Sequence, residues 1–384
     1  MKKWFSDNKN TIILLLVCAV IFIVGCVLAS PEKSDSPSAE EYSEYERAKV
    51  VQILADNTVQ DETSDGGWRG EQLMLVDVLT GQYSGKTIQV SNFVGPLYGV
   101  PLNEGDGAVV AISTYSDGSF IGTVYEFDRL VPMIIVVLLF LVSAVAVGGK
   151  TGAKSLFGLG ITFVSLFFIL IPALMKGAPT LPTVFGVSSF IAVVSLAILG
   201  GVQKKTVCAM LGTVSGTALA MIFGLISQGI LRIDGLRVSD VEPLLQLRQT
   251  GTPIGLTGLL VGGIIISALG AVMDVTMGIS SALFEVSAAN PNLGKKELFR
   301  SGMNIGRDMV GTMTNTLILA FLGSSFVFIL YLYSMGLSGY QLISSAYLSL
   351  EVISGISCSI GVVLSIPITA IITAIALAKS DKTA

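Results

Sequence analysis

Between Ile254 and Gly323 the chain is apolar enough to span a bilayer, yet it carries charge there. Asp274 sits in LGAVMDVTMGI, and Arg307 and Asp308 open GRDMVGTMTNTLILAFLG. Ionisable groups in or beside a membrane span cost roughly 2.5–3.5 kcal/mol each on insertion scales. They persist where they face a bundle interior or a wet cavity. Such a chain is expected to fold as a polytopic α-helical membrane protein with a polar interior site.

Only 13% of the 384 residues are charged, against about 25% in a soluble protein. The 42 glycines suit helices that approach closely through small residues. Charge is divided unevenly. Residues 30–128 hold 17 acidic and 5 basic side chains, a net of −12, and the remainder is net +8. That split places the two portions in different compartments. There is no histidine, which excludes imidazole bases, Ser-His-Asp triads and histidine metal sites. Cys18, Cys26, Cys208 and Cys358 lie in apolar runs without a CxxC pair, so a zinc ribbon or a disulfide framework is not expected. No Walker loop or cofactor motif is present. The expectation is a non-enzyme with no catalytic residue, cofactor or metal.

Lys2, Lys3 and Lys9 precede the apolar stretch Thr11–Ala29, 19 residues and long enough to span. Three outcomes are open: a retained signal anchor over 1–29, lipidation at Cys26 within Ile23-Val24-Gly25-Cys26, or cleavage after Val27-Leu28-Ala29. All three put residue 30 outside the cytoplasm. Residues 30–45 are acidic and rich in Ser and Pro, and read as a tether. Over 46–128 the periodicity becomes two. Strands are expected at Lys49–Leu54, Gln72–Val78, Lys86–Val90, Ala108–Ser113 and Gly118–Tyr125, separated by turns such as Asp65-Gly66-Gly67 and Ser116-Asp117-Gly118. Five short strands suit a small extracytoplasmic all-β domain, an OB-like barrel. Its net charge repels phosphate backbones, so a structural or protein-binding module is expected there, and no nucleic acid.

Residues 129–384 form the helical bundle, with spans expected near 131–148, 155–175, 183–202, 206–230, 253–273, 310–333 and 352–378. Lys150 and Lys154, Lys204 and Lys205, Lys295 to Arg307, and Lys379 and Lys382 all fall inside if both termini are cytoplasmic. With the anchor this makes about eight spans in a bacterial plasma membrane. Segment 232–250, carrying Arg232, Asp234, Arg237, Asp240, Glu242 and Arg248, reads as an interfacial helix. Gly212-Thr-Val-Ser-Gly216 is a GxxxG packing signal.

A helix over Gly255–Ala288 measures about 50 Å, beyond a ~30 Å core. It must break, extend into the cytoplasm or re-enter, with Gly270 and Gly278 as hinge points. Asp274, Ser281 and Glu285 share one of its faces. On the next helix Ser301, Asn304, Asp308, Thr312 and Asn315 make a polar stripe backed by Met309, Leu317, Ile318 and Phe321. An Asp274–Arg307 pair beside Asp308 is expected at similar depth. Glu351, near Ser344, Ser345 and Ser349, reads as an interfacial cap or as the mouth of a path.

GAVMDVTMGISSALFEV, the Asn290-Pro291 break and SGMNIGRDMVGTMTNTLILAFLG resemble the YibE/F-like family of bacterial multi-span membrane proteins, over roughly 130–380. The resemblance implies an amino-terminal span, an extracytoplasmic β segment and a helical bundle, permease-like, with no catalytic residue carried over. The polar stripe, not the resemblance, motivates the expected function, binding or movement of a small polar solute or ion, with Asp274, Glu285, Asn304, Arg307, Asp308, Thr312 and Asn315 as the site. The alternative is a membrane scaffold or sensor whose acidic domain binds an extracytoplasmic protein.

Overall fold

A computed structural model describes residues 42–114, 120–233, 236, 241–249 and 251–377. The amino-terminal span over 1–29 with Cys18 and Cys26, the tether up to residue 41, and the turn at 116–118 lie outside the described residues. So do Asp234, Arg237, Asp240, Lys379 and Lys382. The chain passes from one compact unit to a second between Ala146 and Val147.

The first unit is a barrel of strands β1 (Tyr42–Asp56), β3 (Gly67–Val78), β4 (Thr87–Val94), β5 (Gly107–Thr114) and β6 (Phe120–Phe127), with a short β2 (Val59–Asp61) on β3. The order β1-β5-β6-β4-β3 closes through β1–β3. All these ladders are antiparallel except β4–β6, which is parallel at Val90↔Gly122 and Ser91↔Thr123. β1 starts inside the expected tether and serves two partners, β5 through Tyr42–Lys49 and β3 through Ala48–Asp56. Register shifts after Val50 and Ile53 bend it between them, as bulges do where sheets curl into barrels.

Alternation turns Val50, Met74, Val76, Val78, Val90, Val110 and Ile112 inward. One end holds a buried amide pair. Asn92 Nδ2 donates to Gln72 Oε1 (3.0 Å), which also accepts from the Leu102 N–H (2.9 Å). At the exit Arg47 Nε donates to Asp128 Oδ2 (2.8 Å), while Asp128 Oδ1 accepts from the Leu130 N–H (3.0 Å) and so starts the next helix.

That helix, α1 (Leu130–Ser165), continues through a π-helical turn (Leu166–Leu170) into α2 (Ile171–Met175). Two spans are expected here. Gly149, at φ 53 and ψ −133, is non-helical and divides the region into two helices across a kink, in a conformation essentially restricted to glycine. Leu130–Val147 carries exposed apolar side chains on all sides, the pattern of a span in lipid.

The bundle contains α3 (Thr180–Gly200), α4 (Lys204–Leu231), α5 (Glu242–Gln249), α6 (Leu259–Ala289), α7 (Lys295–Ser324), α8 (Phe326–Ser334), α9 (Gly339–Ile343) and α10 (Ala346–Leu377). Among the described residues five helices are long and apolar enough to cross a membrane, counting Leu130–Met175 as one. The pair α7 and α8, bent by 58°, makes a sixth if taken together. α6 is continuous over 31 residues, so Gly270 and Gly278 do not break it. Residues 253–258, expected within a span, precede the helix instead.

Close packing holds α10 against α4, α6 and α7. Gly216 lies where a Cβ would come within 2.7 Å of Ser365 Cβ and Val272 Cγ1, and Gly302 where one would come within 2.9 Å of Ala370 Cβ. Gly212 abuts Thr369 and Gly306 abuts Ile366 in the same way. Val272, Val275, Ile279, Leu283, Val362 and Ile366 fill the middle. Thr213 and Thr276 share a buried 2.7 Å hydrogen bond between α4 and α6, and Ser280 Oγ donates to Lys205 O (2.7 Å).

Candidate functional site

The buried face of α7 is the one with glycine and large apolar side chains. Gly302 and Gly306 admit α10, and Met309, Met313, Leu317 and Phe321 pack on the core. Leu317, Phe321 and Met309 are thus backed by the bundle as expected, but Ile318 is 38% exposed. The polar stripe consequently points away from the helices of its own chain. Asn304, Arg307, Asp308, Thr312 and Asn315 are all exposed, and Ser301 is half-buried. The expected interior placement is corrected on this point. Lipid is as apolar as the bundle interior, so it is the close packing of Gly302 and Gly306 on α10 that sets which face of α7 turns inward.

The expected Asp274–Arg307 pair does not form either. Gly278 of α6 faces Met309 of α7, where a Cβ would sit 3.1 Å from Met309 Cε. Residues two apart on a helix differ by about 200°, so Arg307 projects from the far side of α7. Its Nη1 instead reaches Asn304 Oδ1 on its own helix, at 3.4 Å.

Asp274, Ser281 and Glu285 do share one face of the unbroken α6. Asp274 and Glu285 are exposed, and Ser281 is half-buried. Ser267 and Gly263 continue that face toward the amino-terminal end of the helix, seven residues at a time from Ser281 through Asp274 to Ser267. From Glu285 to Ser267 is 18 residues, about 27 Å of rise, close to the hydrocarbon thickness.

At the Ser267 end this face enters a cavity of about 450 Å³ between α6, the α7–α8 bend and α10. Its polar lining is Ser267, Ser324, Ser325, Tyr347, Glu351 and Ser354. Phe321, Phe328 and Tyr347 add aromatic walls, the last two with ring centroids 4.8 Å apart. The bend creates the space. α7 stops at Ser324, where Ser324 Oγ donates to the Phe321 carbonyl (2.8 Å), and α8 leaves at 58°. Among the described residues Glu351 has no ion-pair partner.

Sequence reasoning found Glu351 but grouped it with Ser344, Ser345 and Ser349. The structure instead groups it with Ser267, Ser324, Ser325 and Ser354. The available signal was Gly323-Ser324-Ser325, since Gly/Ser pairs are a recurrent cause of sharp helix kinks.

No curated protein and no solved structure matches the chain. The model of one family does, described as YibE/F-like protein, over residues 136–379. That match takes in the apolar helices from the first half of α1 to the end of α10 and every side chain of the cavity, so the chain belongs to the YibE/F-like family.

Proposed function

We propose that this chain is a permease-like membrane protein that binds, and carries across the bilayer, a small solute bearing positive charge. The observation that carries this reading is the cavity at the broken span, lined by Glu351, aromatic rings and hydroxyls, with no ion-pair partner for Glu351 among the described residues. Its volume is in the range of small-molecule sites. A carboxylate beside aromatic faces favours a cation, and broken helices supply such sites in transporters. The α6 face from Ser267 through Asp274 to Glu285 extends from the cavity as a polar track of span length.

The same reading takes Gly149 as the joint between two spans. With the amino-terminal anchor and the α7–α8 pair this gives about eight spans in a plasma membrane, both termini cytoplasmic. Lys150, Lys154, Lys204, Lys205, Lys295 and Lys296 then lie inside, and the cavity opens toward the extracytoplasmic side. The barrel lies outside, and its order with one parallel closure supports an OB-like assignment. In this reading the chain is not an enzyme.

A second reading, a scaffold or sensor, is favoured by one observation. Leu97 and Tyr98, in the turn after β4, are 96% and 64% exposed on the acidic barrel, a shape suited to a protein partner.

Thermal unfolding of the purified chain against alkali, alkaline-earth and alkylammonium cations tests the proposal. The expected result is a midpoint raised by one of them in wild type and not in Glu351→Gln, with the two proteins equally stable alone. If no cation acts, and Glu351→Gln leaves the melt unchanged under every condition, the cavity is not the site.

A further inference from the structure

We infer that α7 is the seam of a homodimer, two copies packing in parallel about a two-fold axis. The positions Asn304, Asp308, Gly311, Asn315, Ile318 and Leu322 alternate spacings of four and three, the repeat that a left-handed helix pair requires. All six are exposed in the single chain, and a Cβ at Gly311 would meet nothing within 4 Å. The run passes from the cytoplasmic lip of the span at Asp308 into its apolar part, where Asn315 cannot face lipid without cost. Something therefore covers it.

Charge identifies the occupant as a second copy. In a parallel pair a knob at Asp308 enters a hole formed by residues 304, 307, 308 and 311 of the facing helix. Each Asp308 then meets the other copy's Arg307, and two carboxylates and two guanidiniums cancel. Arg307 is free to do this, because its bond to Asn304 is long and leaves most of its five donors unused. Asn304 and Asn315 fall opposite their own copies, where paired amides hydrogen-bond and fix register. Gly311 between them admits close approach. The apolar anchor expected over residues 11–29 has no such complement to offer the stripe.

The test uses the full chain in lipid nanodiscs. Wild type is expected at twice the 40.3 kDa chain mass. An Asn315→Cys variant is expected to form a disulfide-linked dimer on mild oxidation, whereas Ile371→Cys, on the exposed side of α10, does not. Arg307→Asp should weaken association about tenfold or more by opposing like charges, and Arg307→Asp with Asp308→Arg should restore it. A wild-type mass of one chain overturns the inference. So does cross-linking of Asn315→Cys no greater than that of Ile371→Cys, or a disulfide from Asn315→Cys to a native cysteine of the same chain. Failure of the double exchange to restore the dimer overturns the Arg307–Asp308 pairing.

Discussion

Replacing Gly306 by alanine measures how tightly α7 is held to the bundle. A Cβ there would overlap Ile366 Cγ2 and lie 3.2 Å from Ile366 Cβ and 3.3 Å from Cγ1, where carbon pairs prefer 3.5–4.0 Å. Ile366 is 2% exposed and cannot swing outward, so α7 must retreat from α10 or Ile366 must leave its rotamer. Overpacking of this kind costs about 1–3 kcal/mol. Alanine's better helix propensity returns ~1 kcal/mol, leaving a net loss of about 0–2 kcal/mol. Ile366→Ala alone should cost about 2–5 kcal/mol through the cavity it leaves. In the double variant the new methyl occupies part of that space, so the two losses should fall short of their sum by about 1–2 kcal/mol. Reversible unfolding in mixed micelles reads all four proteins. Gly270→Ala is the control, a glycine inside the continuous α6 where a Cβ meets nothing within 4 Å. The idea is refuted if Gly306→Ala is as stable as Gly270→Ala, or if the two losses add within about 0.5 kcal/mol.

Acid should weaken the barrel through Asp128. Burial opposes its charge, but the Leu130 N–H and the Arg47 guanidinium outweigh burial and hold the carboxyl below its ordinary value of 3.8. A depressed carboxyl contributes stability that is complete above that ordinary value and is lost as pH falls through the lower, folded one. Hydrogen exchange of barrel amides from pH ~6 to pH ~2 should show this loss in wild type and less of it in Asp128→Asn; equal acid slopes would contradict it. Gln72→Leu removes the partner of the Leu102 N–H and of the Leu102 carbonyl in the interior, at about 1–3 kcal/mol for each group left unpaired, while Asn92 Nδ2 keeps its bond to the Val100 carbonyl. Denaturation of the barrel should register that, and a neutral result would mean that water replaces the amide.

Sequence periodicity anticipated the barrel well, because alternation is set by the pleat and needs no knowledge of partners. Val76, Val78, Val90, Val110 and Ile112 all fall inward as the pattern requires. The GxxxG at Gly212 and Gly216 proved to be a true contact, on α10 and α6. α7 was harder, for a physical reason. Its polar face and its glycine-and-methionine face are both plausible inner surfaces, and only the partner's shape decides between them. Ile366 and Ala370, about 60 residues away in sequence, make that decision. The cavity likewise assembles Ser267, Ser325 and Glu351 from three helices, and no spacing within one segment encodes it. Gly270 and Gly278 are not hinges in the continuous α6; Gly278 instead receives Met309 of α7, and a Cβ at Gly270 would meet nothing within 4 Å.

The way the chain is threaded through the barrel bears on mechanical load. It enters on β1 and leaves on β6, two parallel strands separated by β5. Tyr42 is level with Thr114 and Phe120 at one end, and Ala48 is level with Ala108 and Phe127 at the other. A pull on the two chain ends therefore drives β1 and β6 in opposite directions along β5. Both ladders are loaded in shear, their hydrogen bonds sharing the force, and none is peeled singly. Asp128, tied to Arg47 on β1 and through its N–H to the Gly107 carbonyl on β5, fastens the exit to both neighbouring strands. Pulled by its two ends, the module resists with both ladders at once.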